Sequence, residues 1–381
     1  MALRYLTAGE SHGPALLGIM EGMPAGLHLS ADVVNLELTR RQAGYGRGQR
    51  MRIERDEIEW LAGVRFGETL GSPIALMIRN RDFERWQQRM APEGDVVGPA
   101  FTRPRPGHAD LAGALKYGRG DARDILERAS ARETAMRVAL GAIAKAFLGH
   151  FGIEIVSHVV ALGDVTASPP AQIDRDAIDR SPVRCADPVA AEAMVAAIDA
   201  ARLKGDTLGG VVEVQALGVP VGLGTHVHWD RKLDGRLGQA MLSVPAIKGL
   251  EIGAASWGAA HLGSQVHDEI FFRQGEGFTR STNRAGGSEG GISNGAPVWV
   301  RAAMKPLSSL HRPLRSVDMD TKEEFLAQVE RSDITAVPAA GVVLEAVMAL
   351  VLTELFLEKF SGDALIDVEA AYHHYIGRIS R

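Results

Sequence analysis

Cysteine is almost missing from this sequence. Cys185 is the only one in 381 residues, which excludes an intramolecular disulfide and a cysteine zinc cage and suits a reducing compartment. Aromatic residues are few, 6%, and no basic stripe is interleaved with them, so a single-stranded nucleic acid would find no stacking platform. Positive charge is not in surplus. The 42 Lys and Arg face 47 Asp and Glu, a formal net charge of −5, unlike a general nucleic-acid binder. Met1, Ala2, Leu3, Arg4 and Tyr5 lack the apolar core of a signal peptide. The most apolar run, residues 337–357, is interrupted by Glu345 and Glu354, so a buried helix is expected there and not a membrane span. Tandem repeats, low-complexity linkers, a Walker A loop and a GxGxxG fingerprint after a strand are also missing. The expectation is a cytoplasmic enzyme with neither nucleic acid nor membrane as partner.

What is present is enough apolar residue, 46% of the chain, for a large core. Residues 2–30 read as two strands around a glycine turn at 9–13, and Ser30 caps a helix reaching about Arg41. Residues 43–51 form a Gly/Arg loop, residues 72–78 a strand, and residues 80–109 a long Arg- and Pro-rich loop. Residues 121–149 give the clearest helix: Ile125, Ala129, Met136, Leu140, Ile143 and Phe147 recur at helical spacing. Arg132 interrupts that stripe, one turn above Arg128, and a charge on a buried face needs a partner or a ligand. Further strands are expected at 153–161, 210–216, 250–252 and 298–303, an amphipathic helix at 321–331, and an apolar helix opened by Pro338. The mixture is α/β or α+β. The loops at 43–51, 80–109, 275–295 and 305–318 are long enough to suggest function.

Five constellations carry chemistry. Arginine is concentrated at Arg40, Arg41, Arg47, Arg50, Arg52 and Arg55, and again at Arg103, Arg105, Arg119, Arg123, Arg128 and Arg132. An acidic chain that gathers arginine this way folds it around a polyanion, because guanidinium pairs with carboxylate and phosphate through paired hydrogen bonds; the bland alternative is a solvated basic surface. In Gly9-Glu10-Ser11-His12-Gly13 the histidine serves either as an acid or base or as a structural turn residue. In Arg103-Pro104-Arg105-Pro106-Gly107-His108-Ala109-Asp110 two prolines hold His108, which Asp110 could orient; the same residues would also make a helix-capping turn. Arg331-Ser332-Asp333 precedes the apolar helix as a site or as its cap. The glycine-rich stretch 286–295, followed by Lys305-Pro306-Leu307-Ser308-Ser309, offers amides, a cation and two hydroxyls to an anion or a ring. His226 and His228, or His373 and His374, lack further ligands for a metal.

Together these motifs describe an enzyme or binder for a small, multiply anionic ligand. They also resemble, in order from residue 4 to about 356, the chorismate synthase family. Gly9-Glu10-Ser11-His12-Gly13 and Arg41-Gln42-Ala43-Gly44-Tyr45-Gly46-Arg47-Gly48 resemble its opening. Arg105-Pro106-Gly107-His108-Ala109-Asp110 and Arg128-Ala129-Ser130-Ala131-Arg132-Glu133-Thr134 look like its central signature. Gly290-Gly291-Ile292-Ser293-Asn294-Gly295, Lys305-Pro306 and Arg331-Ser332-Asp333 complete it.

The resemblance implies one domain over residues 1–381, a β-α-β sandwich with long helices between sheet layers, and a homotetramer. It implies elimination of phosphate from 5-enolpyruvylshikimate 3-phosphate to give chorismate, with reduced FMN required and no net redox. Carried onto this chain, flavin contacts fall on Arg128, Ala129, Ser130, Ala246, Gly290, Lys305, Pro306, Leu307, Ser308, Ser309 and Arg331. Substrate contacts fall on Arg41, Arg47 and Arg132. Members that reduce their own flavin also use Arg41 and Arg47 for NADPH, and others rely on an external flavin reductase. His12, supported by Ser11, is expected at the departing phosphate, His108 at the flavin, and Asp333 near the ring proton, with the two histidines interchangeable at this stage. Pro245 stands where the family often has Asn or Gln. The competing readings are a stand-alone NAD(P)H:flavin reductase and a non-catalytic anion or RNA binder.

Overall fold

The computed structural model describes residues 3–48, 55–170, 172–275, 277–330 and 333–380. Arg50, Arg52, Arg331 and Ser332 lie outside the described residues. Alternation of apolar and polar residues builds two antiparallel sheets. The first joins β1 (Arg4–Ala8), β2 (Ala15–Glu21), β3 (Ile58–Ala62) and β4 (Ile74–Arg79) in the order β1-β2-β4-β3. The second joins β5 (Glu154–Leu162), β6 (Val165–Thr166), β7 (Gly210–Leu217), β8 (Ile247–Ile252) and β9 (Val298–Met304) in the order β8-β9-β7-β5-β6. On β4 every second residue, Ile74, Leu76 and Ile78, is buried, and on β9 Val298, Val300 and Ala302 follow the same rule.

The helices include α1 (Ala31–Gln42), α2 (Asp110–Tyr117), α3 (Arg123–Ala129), α4 (Thr134–His150), α5 (Pro188–Lys204), α6 (Leu233–Leu242), α7 (Val337–Lys359) and α8 (Leu365–Ile379). Helices α4 and α7 fill the space between the sheets, and the others pack around them. α4 rests on the first sheet, α7 on β5 and β7 of the second, and the two helices pack on each other. This is the sandwich of sheets around long helices that the resemblance implied. At Gly141 of α4 an added Cβ would lie 2.3 Å from the Cβ of Ala346 on α7 and 2.6 Å from its Cα. Only glycine admits that spacing.

α7 is the apolar C-terminal run, and its apolar stretch is 94% buried inside the protein. Its one interior charge, Glu345, has no exposure at all. Arg40 donates to both its oxygens at 2.7 and 3.1 Å, Lys145 and Arg184 donate at 2.8 and 3.1 Å, and Ser157 adds its amide and hydroxyl at 3.0 and 2.7 Å. Burial acts to raise this carboxyl's pKa, but Lys145, Arg40 and Arg184 hold it well below the usual carboxylate range.

Two expectations from sequence fail. The helix expected at 121–149 is broken: Ser130 is extended (φ −64°, ψ 142°), its hydroxyl accepts from the Arg132 amide at 3.3 Å, and a short 3-10 turn follows before α4 begins. The break swings Arg132 off the stripe and toward the first sheet. The amphipathic helix expected at 321–331 is instead the strand Glu324–Leu326, paired with Arg315–Val317. A left-handed Lys322 (φ 64°) turns the chain there, and Phe325 lies 3.9 Å under the Arg103 guanidinium. Side-chain contacts overrode the helical spacing.

Candidate active site

A cleft of about 1050 Å³ opens where the α1 C-terminus, the α3–α4 break and the start of α7 converge. The glycine turn after β1, the 81–109 loop and the segment following β9 complete its walls. Ser11, His12, Arg41, Arg47, His108, Ala129, Ser130, Arg132, Ala246, Lys305, Leu307, Ser308, Ser309 and Asp333 all line it, so residues from eight chain segments meet at one place.

The arginines are held from behind. Arg41 is buried, and its Nε and Nη2 donate to the Thr134 hydroxyl at 3.0 and 2.9 Å, with Nη2 also reaching the Ala131 carbonyl at 2.9 Å. Its Nη1 has no hydrogen-bond partner among the described residues. Burial first, and then the neighbouring charges of Arg47 and Arg132, push its pKa down to about 10 against the pull of Asp56. Asp56 Oδ2 stands 3.8 Å from Arg41 Nη1, an ion pair without a hydrogen bond, so the donor can still take one from an anion. Arg132 finds the partner its position on the stripe demanded. Nη1 donates to Asp56 at 2.6 Å and Nε to Asn80 at 3.0 Å. Arg47 pairs with Asp333 at 2.8 Å, and the Gly48 amide donates to the same carboxylate at 2.6 Å.

Each of the two histidines has a carboxylate at its Nδ1, and at His108 Arg105 Nη2 also lies 3.1 Å from that nitrogen. His108 Nδ1 lies 2.5 Å from Asp110, which is fully buried and also accepts from Arg105 Nε at 2.8 Å. Burial raises the Asp110 pKa, but the hydrogen bonds from His108 and Arg105 win and hold it far below the usual range. Arg105 runs on to the Ser309 hydroxyl at 2.8 Å. His12 Nδ1 lies 2.9 and 3.1 Å from the two oxygens of Glu127, whose Oε1 also accepts from Arg123 at 3.1 Å. Trp86 lies against the His12 ring, centroids 4.2 Å apart. Ser11 is buried, and the Ser130 hydroxyl donates to it at 3.1 Å.

The segment after β9 supplies a further cation. Lys305 Nζ donates to Ser308 at 3.0 Å, and Ser308 to the Gly107 carbonyl at 3.0 Å, so this loop is tied to the His108 turn. Burial, then repulsion from Lys248, lowers the lysine's pKa. Ala246 adopts φ 70°, unusual for a residue with a Cβ, and its carbonyl receives the Lys305 amide at 2.9 Å.

Three expected flavin contacts do not line the cleft. Arg128 is exposed and donates to the carbonyls of Gly9 and Thr7 at 3.2 and 2.9 Å, which braces the turn carrying Ser11 and His12. Gly290 (φ 62°) sits in the tight turn between Ser288–Glu289 and Ile292–Ser293. Pro306 shares the Lys305 segment without facing the cavity. Arg331 lies outside the described residues. Sequence reasoning missed Glu127, Asp56, Asn80 and Trp86. The signal for Glu127 was Arg123 four residues earlier on the face that also carries buried Leu126; that pattern reads as an ordinary surface ion pair.

Residues 3–357 match the family model described as chorismate synthase. The chain is 59% identical to a chorismate synthase of Moorella thermoacetica over 99% of this chain and all of that one. It is 53% identical to that of Symbiobacterium thermophilum over the whole of both, and 54% identical to that of Aquifex aeolicus over 99% and 98% of the two chains. A crystal structure of chorismate synthase superposes with a TM-score of 0.82 at 43% identity, covering 100% of this chain and 99% of the other.

Proposed function

The chain belongs to the chorismate synthase family, and from that premise we propose which of its residues bind, which orient and which move a proton. The reaction is the loss of phosphate from 5-enolpyruvylshikimate 3-phosphate to give chorismate, the last step of the shikimate pathway. The substrate carries two carboxylates and a phosphate, three anionic groups for Arg41, Arg47 and Arg132 to hold. The Nη1 of Arg41, which makes no hydrogen bond among the described residues and has Asp56 only at 3.8 Å, is the observation that carries this assignment.

The residues present also fit the family's reduced FMN. Ala129, Ala246, Leu307, Ala339 and Val343 give the cleft an apolar wall suited to a flat ring, and Lys305, Ser308 and Ser309 offer polar contacts beside it. Reduced flavin bound there would supply electron density for the loss of phosphate, with no net redox change. His12 meets the departing phosphate as proton donor, with Ser11 beside it. His108 would hold the polar edge of the flavin and favour its reduced form. Asp333 takes the ring proton, held in place by Arg47 and the Gly48 amide. With protein, substrate and FMN mixed under argon, chorismate and phosphate should form in equal amounts after chemical reduction of the flavin and not before it. Flavin binding without either product would point to another flavin reaction, to be sought as NAD(P)H oxidation.

The whole chain acts as one domain in this proposal, supported by a single core that runs through both sheets. We place it in the cytoplasm, the reducing setting that its lone buried cysteine suits. NADPH would share Arg41 and Arg47 if this chain reduces its own flavin; otherwise a separate reductase supplies it. A homotetramer is supported by exposed apolar residues. The ribbon Ile270–Arg273 and Gly277–Arg280 exposes Ile270, Phe271, Phe272 and Phe278, and the outer face of β1 and β2 exposes Leu6, Leu17 and Ile19. Light scattering should give four times the 40.8 kDa chain mass, and a monomer in solution would refute the assembly.

A further inference from the structure

We propose that Glu127 is the positioning residue of His12, fixing the imidazole tautomer so that all proton traffic passes through Nε2. The proposal rests on the reading of His12 as the group that meets the phosphate. Glu127 is buried, its side chain 2% exposed, and it does more than pair with a neighbouring arginine. Its two oxygens bracket His12 Nδ1 at 2.9 and 3.1 Å, and Oε2 also accepts the His12 backbone amide at 2.7 Å. One carboxylate thus grips both the ring and the main chain of the same residue, which fixes the side-chain torsion as well as the ring's orientation.

An ionised carboxylate only accepts hydrogen bonds, so Nδ1 must carry the hydrogen. Arg123, 3.1 Å from Oε1, supplies the compensating charge. Burial raises the Glu127 pKa, yet the contacts with His12 and Arg123 bring it below its ordinary value, so the acceptor state is the resting one. The ring is left with two states. Protonated, it presents N–H at Nε2; neutral, it presents a lone pair there. The tautomer with its hydrogen on Nε2 and a bare Nδ1 is excluded. During elimination Asp333 takes the ring proton, the C–H pair forms one ring double bond as the existing one shifts, the phosphate leaves with the C–O bonding pair, and the proton on His12 Nε2 moves to a phosphate oxygen. Nδ1 keeps its hydrogen on Glu127 throughout. At His108 Asp110 likewise holds Nδ1, but Arg105 Nη2 also lies 3.1 Å from that nitrogen, and of the two only His12 has its ring and main chain gripped by one buried carboxylate.

The test compares wild type, His12→Ala, Glu127→Gln, Glu127→Asp and the His12→Ala/Glu127→Gln double variant in the anaerobic assay. Glutamine keeps the volume but can offer N–H to Nδ1, which admits the excluded tautomer. We expect Glu127→Gln to lose about 10²–10⁴-fold in kcat, the range seen when an orienting carboxylate or an acid–base group is lost, with KM for the substrate within about 3-fold. Glu127→Asp should recover at least about 10-fold of that loss, and the double variant should be no slower than His12→Ala, since residues acting as a unit are non-additive. A strongly impaired His12→Ala beside a Glu127→Gln variant within about 3-fold of wild type would overturn the Glu127 assignment and leave the role of His12 standing. A near-normal His12→Ala would overturn both. If Glu127→Gln fails to fold, the ¹⁵N spectrum of imidazole-labelled wild type decides: neutral His12 with hydrogen on Nδ1 supports the proposal, and hydrogen on Nε2 refutes it.

Discussion

Alanine at His12 or at His108 will lower kcat by about 10²–10⁴-fold, the span typical of lost acid–base groups, without unfolding the chain. Neither imidazole belongs to the hydrophobic core; each lines the cleft with its Nδ1 held by a buried carboxylate. The two variants should fail differently. His108 shares its loop with the Lys305–Ser308 contact, so His108→Ala should also weaken binding of reduced FMN. His12 stands beside Ser11 at the arginine end, so His12→Ala should leave flavin affinity near normal and slow phosphate release. Flavin titration beside single-turnover phosphate release separates the two. The reverse pattern would exchange the roles of the histidines, and near-full activity in both variants would remove them from the mechanism.

Glu345→Ala carries the largest expected cost to stability. It leaves Arg40, Arg184 and Lys145 around a buried site without the carboxylate that joins them. Breaking a buried ion pair by removing one partner costs about 3–5 kcal/mol, a large share of the total stability of an ordinary domain. Denaturant unfolding of wild type and variant would measure it, and a difference under about 1 kcal/mol would mean that water or rearranged partners replace the carboxylate. The network also has a pH signature. The folded-state pKa of Glu345 lies below its ordinary 4.5, so its stabilisation is complete above that value and fades as pH falls through the lower, folded-state value. The gap between wild type and Glu345→Gln should therefore narrow in acid. Activity should suffer as well, since Arg40 in this network is the neighbour of Arg41 on α1.

Much of the site was legible in the sequence because its signals were local. Gly9 to Gly13 announced a turn with a histidine, the Pro-Arg-Pro-Gly-His run announced a held imidazole, and Arg132 announced a buried charge in want of a partner. What could not be read was the identity of the partners. Asp56 lies 76 residues from Arg132 and Glu127 lies 115 from His12, and each alone looks like a surface acid in a charged stretch. Trp86 sat unremarked in an Arg-rich loop, and nothing in its surroundings disclosed that it would lie on His12. The strand at 324–326 was read as a helix because a charged, amphipathic spacing ignores the pairing with 315–317. The unbroken helix at 121–149 was wrong at Ser130 because the same serine that tolerates a helix also caps the next one.

The contact of Gly141 with Ala346 bears on how this enzyme can move. Shear closure requires packed helices to slide past one another, and here the backbones of α4 and α7 approach so closely at Gly141 that only the methyl of Ala346 lies between them. Sliding at this crossing would drive the Ala346 backbone against α4, so the contact resists shear between the layers that α4 and α7 carry. The loop 81–109 lies outside that crossing, and it both brings Trp86 to one histidine and carries the other.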